Sequence, residues 1–172
     1  MGMVEMDETF IGGKAANKHR SKRWPRDPDA PSDGSGGKTP IIGAISRSKK
    51  TVVARVLDAV TAKAVARFVG DVIEPKVSIL NIDSARYYMS IPTAWPRHKV
   101  DHTKGEYVRH DEVVGAIHTN TIEGFWSLIK RGIIGNYHKV SKKYLPLYVA
   151  EFCFRYNNRE NADIFGAAIA GC

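Results

Sequence analysis

The stretch His118-Thr119-Asn120-Thr121-Ile122-Glu123-Gly124-Phe125-Trp126-Ser127-Leu128-Ile129-Lys130-Arg131 sets a single carboxylate, Glu123, among apolar and basic residues. At about 100° per residue, Ile122, Phe125, Trp126, Ile129 and Ile133 form one apolar stripe of a helix, and Asn120, Glu123, Ser127 and Lys130 form the stripe beside it. Acid and base then face the same way, two turns or roughly 10 Å apart. A carboxylate that ligates a metal, followed two turns later by a cation that holds a phosphate, suits phosphoryl transfer on nucleic acid. On this stretch alone a plainer alternative weighs as much: Asn120 as N-cap with Glu123 three positions on is close to a capping box. Two further acids stand out. Asp7 interrupts the β-forming run Met3 to Ile11, which Gly12-Gly13 ends, and a carboxylate in a strand needs a cation, a hydrogen-bonded partner or solvent. Asp83 closes the nearly all-apolar run Val77 to Asp83, and ligand sites in α/β sheets gather at such strand ends. For a lone aspartate there, a cap or turn is the commoner role. Glu8 reads as a solvated outward residue.

The elements that must position these acids follow in order. Thr39 to Ser46 and Thr51 to Leu57 read as two strands joined by the turn Arg47-Ser48-Lys49-Lys50. Thr61 caps a helix with Ala62, Val65, Phe68, Val69, Val72 and Ile73 at helical spacing, and Pro75 closes it. Residues 84 to 117 are weakly patterned, with a short strand expected through Lys99-Val100. Lys143 to Asn157 reads as an amphipathic helix bearing Leu145, Tyr148, Val149, Phe152 and Tyr156 on one face, with Pro146 tolerated in its first turn. The tail from Glu160 has little pattern. Together these give a mixed α/β arrangement. If the first and fourth strands lie side by side, Asp7 and Asp83 can share metal ions, with Glu123 coming in from the side. Magnesium suits such oxygen ligands.

The chain has 172 residues, 43% of them hydrophobic, enough for one domain with its own core. Its 26 Lys and Arg against 18 Asp and Glu give a formal charge of +8, which favours a polyanionic partner, nucleic acid before a membrane surface. Lys14 to Gly37 reads as a long loop whose first half carries Lys18, Arg20, Lys22 and Arg23 around Trp24, suited to tracking a phosphate backbone and stacking a base. A solvated loop with a locally packed tryptophan is the alternative of similar weight. Cys153 and Cys172 are the only cysteines, so a disulfide framework and a cysteine-rich zinc site are excluded. His98, His102, His110 and His118 match no closed zinc spacing. His118, just ahead of the Glu123 helix, is placed to reach a phosphate or a water. No apolar run approaches a membrane span, and the acids Glu5, Asp7 and Glu8 near the start do not suit a signal peptide. A cytoplasmic protein is expected.

Four blocks carry a resemblance: Val4 to Gly13; His102 with Gly105-Glu106-Tyr107-Val108-Arg109; His118 to Gly132; and Phe154-Arg155-Tyr156-Asn157-Asn158-Arg159. Together they closely resemble the catalytic domain of DDE transposases, in the bacterial insertion-sequence group related to Merlin elements, the ISXO-like domains. The resemblance spans nearly the whole chain, and the block around Glu123 is its most specific part. It implies a ribonuclease H-like fold, a five-stranded mixed sheet flanked by helices, over residues 1–172 as a single catalytic domain with a basic flexible loop at about 14–38. It implies a two-metal site for DNA strand cleavage and transfer, with Mg²⁺ as cofactor and Mn²⁺ as a substitute. Catalytic and metal-binding roles carry onto Asp7, Asp83 and Glu123, and the family's accompanying base onto Lys130. Arg131, Asn120, His118 and the loop residues Lys18, Arg20, Lys22, Arg23 and Trp24 join it as expected DNA contacts. The expected partners are transposon-end and target DNA and further copies of the chain, as a dimer, in a bacterial cytoplasm in association with the nucleoid.

Two departures stand out. Ala85 occupies a position where the family usually has tryptophan, and the family's N-terminal end-recognition region is expected to be absent, since the first strand begins almost at Met1. Two other readings stay open: a nuclease on the same fold that cuts without joining, and an inactive transposase remnant that serves as a DNA-binding or assembly module.

Overall fold

A computed structural model describes residues 2–13, 38–74, 79–83, 88, 97–100, 108–112 and 115–171, without the side chain of Asp83. The strands are β1 (Met3–Ile11), β2 (Thr39–Ser46), β3 (Thr51–Val56), β4 (Ile79–Asp83) and β5 (Arg97–Val100), in the sheet order β3-β2-β1-β4-β5. β1 runs antiparallel to β2 and parallel to β4, so the first and fourth strands lie side by side. A ribbon of β6 (Arg109–Asp111) and β7 (Gly115–Ile117) leads into the helical half. Those three-residue strands were not expected; they are too short and polar to carry a readable alternation.

The sheet separates two apolar layers. Even-numbered residues of β1, Val4 and Met6, join Leu80, Ile82 and Tyr88 against helix α1 (Ala62–Val72) and its Val65, Phe68 and Val69. Thr61 caps α1 as expected, accepting from the Ala64 N–H at 3.1 Å. The odd-numbered Ile11, with Ile41, Ile45 and Val52, faces helix α2 (Asn120–Gly132) and helix α3 (Leu145–Asn157). All five residues of the expected α2 stripe, Ile122, Phe125, Trp126, Ile129 and Ile133, are buried. A π-helical turn, Ile133–Tyr137, prolongs α2, and Tyr137 meets Tyr148 of α3 edge-on at 4.6 Å. The tail forms a short helix, α4 (Ile164–Ala170), capped by Asp163, which has no buried residue.

The Phe154 to Arg159 block docks α3 on the sheet. Asn157 accepts from the Val52 N–H at 2.7 Å and donates to the Val52 carbonyl at 2.9 Å, occupying the outer edge of β3. Arg159 donates to the Lys50 carbonyl at 2.9 Å and stacks over Tyr156, 4.2 Å from its ring centre. Glu8 departs from the solvated role expected of it: it is half-buried and accepts from the Tyr88 hydroxyl.

Candidate active site

β1 supplies both Glu5 and Asp7 to the face that receives α2. Glu5 is fully buried and paired with Arg47 of the β2–β3 turn. Its Oε2 accepts from the N–H groups of Thr121 at 2.9 Å and Ile122 at 3.1 Å, and its Oε1 from the Thr121 hydroxyl at 2.7 Å. These two N–H groups are the ones an N-cap side chain ordinarily satisfies. The cap of α2 therefore comes from a strand more than a hundred residues earlier in the chain, and a carboxylate at that end is also favoured by the helix dipole. Asn120, read as the N-cap from sequence, is instead the first helical residue; Thr119 precedes it without a side-chain cap bond. The capping box read from Asn120 and Glu123 is therefore not formed; instead the Thr119 hydroxyl donates to Glu123 Oε1 at 3.0 Å, a bond between side chains that orients Glu123.

Arg47 completes the anchor, donating to the carbonyls of Ala116 at 2.6 Å and His118 at 2.9 Å. Asn81 of β4 also donates to the His118 carbonyl, at 3.3 Å. The entry to α2 is thus held from β1, from β4 and from the hairpin. Sequence reasoning missed Glu5 and Arg47, although the cost of burying an unpaired acid in a strand, applied to Asp7, applied equally to Glu5.

His118 Nδ1 accepts the Asn120 N–H at 3.3 Å. Burial first, and then the nearby Arg47 charge, hold its pKa below the ordinary 6.5, against smaller opposing effects of Glu5 and Glu123. Its ring is therefore neutral at pH 7, and the 3.4 Å approach of Nδ1 to Glu5 is no ion pair. Because the unfolded chain takes up this proton more readily, the stability tied to neutral His118 is complete above pH 6.5 and declines as pH falls toward the lower folded value. Urea unfolding at pH 7.5 and pH 5 is expected to show a smaller loss of stability on acidification in His118→Gln than in the parent. An equal loss in both would assign the acid sensitivity elsewhere.

Asp7 is half-buried, and its Oδ2 accepts from the Trp126 indole Nε1–H at 3.0 Å. Trp126 lies one turn beyond Glu123 on α2, so this bond ties Asp7 to the helix that carries the glutamate. The register of β1 on β4 pairs Met6 with Ile82, so the next positions along the two parallel strands are Asp7 and Asp83. Glu123, Asn120, Lys130 and Arg131 are exposed along α2, while His118 leads into it half-buried. Lys18, Arg20, Lys22, Arg23 and Trp24 lie outside the described residues, as do Ala85 and the side chain of Asp83. Among the described residues no three His, Cys, Asp or Glu side chains already stand as a metal cage. The candidate donors Asp7, Asp83 and Glu123 would offer only carboxylate oxygens, a set that fits a small hard divalent cation.

The model of the ISXO2-like transposase domain matches residues 1–157. The chain belongs to this transposase domain family. The match takes in every strand and helix from β1 to α3, and α4 follows it. No curated protein matches the sequence. Among solved structures, the catalytic core domain of BIV integrase aligns with a TM-score of 0.50 and 14% identity over 89% of this chain and 81% of that one. The transposase domain thus has the ribonuclease H-like fold, the expected mixed five-stranded sheet with flanking helices. Among the described residues no helix is long and apolar enough to cross a membrane.

Proposed function

We propose that this transposase domain cleaves and joins DNA strands at a site formed by Asp7, Asp83 and Glu123, with Mg²⁺ as its cofactor and Mn²⁺ able to replace it. The observation that carries the reading is the parallel pairing of β1 with β4, whose next register positions are Asp7 and Asp83, beside the helix bearing Glu123. In-register residues of parallel strands belong to the same face of the pleat. The three acids would hold the cations, which when bound supply Lewis-acid activation of the attacking oxygen and charge neutralisation at the leaving oxygen.

The chain's own residues do the remaining work. Thr119 orients Glu123 through its hydroxyl, and Trp126 holds Asp7. Lys130 and Arg131, exposed beyond Glu123 on the same helix, hold the DNA backbone by charge, joined by Asn120, His118 and the basic 14–26 stretch. His118 is neutral and contributes a dipole rather than a charge. The helix N-terminus itself is not free for a phosphate, because Glu5 and His118 already take its first three N–H groups. Copies of the chain would assemble on the DNA, as joining two ends requires more than one site.

The decisive assay supplies precleaved DNA ends and a target duplex in Mg²⁺. Joined product dependent on the divalent cation is expected. Cutting without joining would make the domain a nuclease, and DNA binding without either product would make it an assembly module.

A further inference from the structure

Trp126 is 3% exposed and packs beside Phe125, ring centres 5.3 Å apart. Its single polar group, the indole N–H, goes to Asp7. Space for the ring comes from a residue without a side chain. Gly43 of β2 is the register partner of Asp7, and a Cβ there would come within 2.6 Å of Trp126 Cη2, 2.9 Å of Cζ2 and 3.4 Å of Ile122 Cδ1. These are buried ring atoms at the rigid end of an indole, which cannot swing aside as a flexible side chain would. Gly43 and Asp7 thus form one cross-strand pair with two functions: the first admits the indole to the sheet surface, and the second receives its proton donor.

We propose that Trp126 is the positioning residue of Asp7, fixing the carboxylate's orientation for the divalent cation, with Gly43 as the gap that makes this possible. The inference rests on the metal site proposed above. An aspartate free to rotate must be ordered when the cation arrives, whereas one already hydrogen-bonded to a rigid ring is ordered beforehand; such outer partners typically change metal affinity or activity 10- to 100-fold. The donor's place one turn after Glu123 adds a second effect: a shift of α2 moves Glu123 and the anchor of Asp7 together.

The test is calorimetric titration of the full chain with Mn²⁺. In Trp126→Phe, which keeps an aromatic ring and removes the N–H, Mn²⁺ affinity is expected to fall about 10-fold or more. Gly43→Ala, which retains the N–H but crowds the ring, is expected to weaken binding in the same direction. Benzothienylalanine incorporated at position 126, with Trp24 and Trp95 changed to Phe, retains the shape of the indole without its N–H, so the result does not depend on tolerance of a smaller ring. Unchanged affinity in this isostere and in Trp126→Phe, with binding still lost in Asp7→Asn, would overturn the positioning role and leave the metal site standing. Absence of saturable Mn²⁺ binding by the parent chain would overturn the site itself.

Discussion

Asp7→Asn is expected to abolish Mg²⁺- or Mn²⁺-dependent nicking of DNA while leaving DNA affinity intact or tighter. Asparagine has the same shape as aspartate, and its carbonyl can still accept the Trp126 N–H, so β1 and α2 keep their contact. What disappears is one negative charge facing the proposed cations. Metal-ion stabilisation of a phosphoryl-transfer transition state is worth several kcal/mol, and about 4 kcal/mol corresponds to roughly a thousandfold in rate. A gel assay of nicking and fluorescence anisotropy on the same duplex separate the two properties. Cleavage retained within about tenfold would refute the assignment of Asp7. Loss of binding along with cleavage would show that the substitution had disturbed the fold instead.

The second large effect concerns stability. Arg47→Met leaves Glu5, which is wholly buried, without its cation. Breaking a buried pair by removing one partner costs about 3–5 kcal/mol. The Arg47 side chain is 21% exposed, so solvent offsets part of this, and about 3 kcal/mol is expected. In a chain of this size that lowers Tm by roughly 6–12 °C. The double variant Glu5→Gln with Arg47→Met removes the stranded charge and is expected to recover at least half of the loss. Glutamine still offers one oxygen to the N–H groups of α2, so the helix keeps a cap. Thermal unfolding of the parent, both single variants and the double variant gives the coupling directly. Strictly additive single effects would mean that Glu5 and Arg47 do not act as a pair.

The sequence carried the framework of this domain where period and punctuation agree. β1 and β2 have the expected bounds because their β-forming runs end at Gly12-Gly13 and at the Arg47 to Lys50 turn, and the α2 stripe is buried as its helical spacing implied. Local signals misled where a distant residue took over the task. Asn120 has the side chain of an N-cap, yet Glu5 performs the capping, and nothing within the α2 segment can announce a partner on β1. The short β6–β7 ribbon, the π-helical turn and α4 lie below the length at which periodicity is readable.

The candidate site was legible as chemistry before it was legible as geometry. Asp7, Asp83 and Glu123 stood out by type and place, but the adjacency of β1 and β4 had to be assumed and comes from the parallel pairing. Helical spacing alone places Trp126 wholly in the apolar stripe. Two unmet demands would have joined it to Asp7: a buried indole needs an acceptor, and an acid within a strand needs a donor.

Asn157 finishes the outer border of the sheet. By gripping both backbone groups of Val52 it imitates an adjoining strand with a single amide, so at that point the hydrogen-bonding surface of β3 is already saturated. Ribbon-wise stacking of one molecule onto another through this border would first have to prise the amide away, a built-in brake on runaway polymerisation.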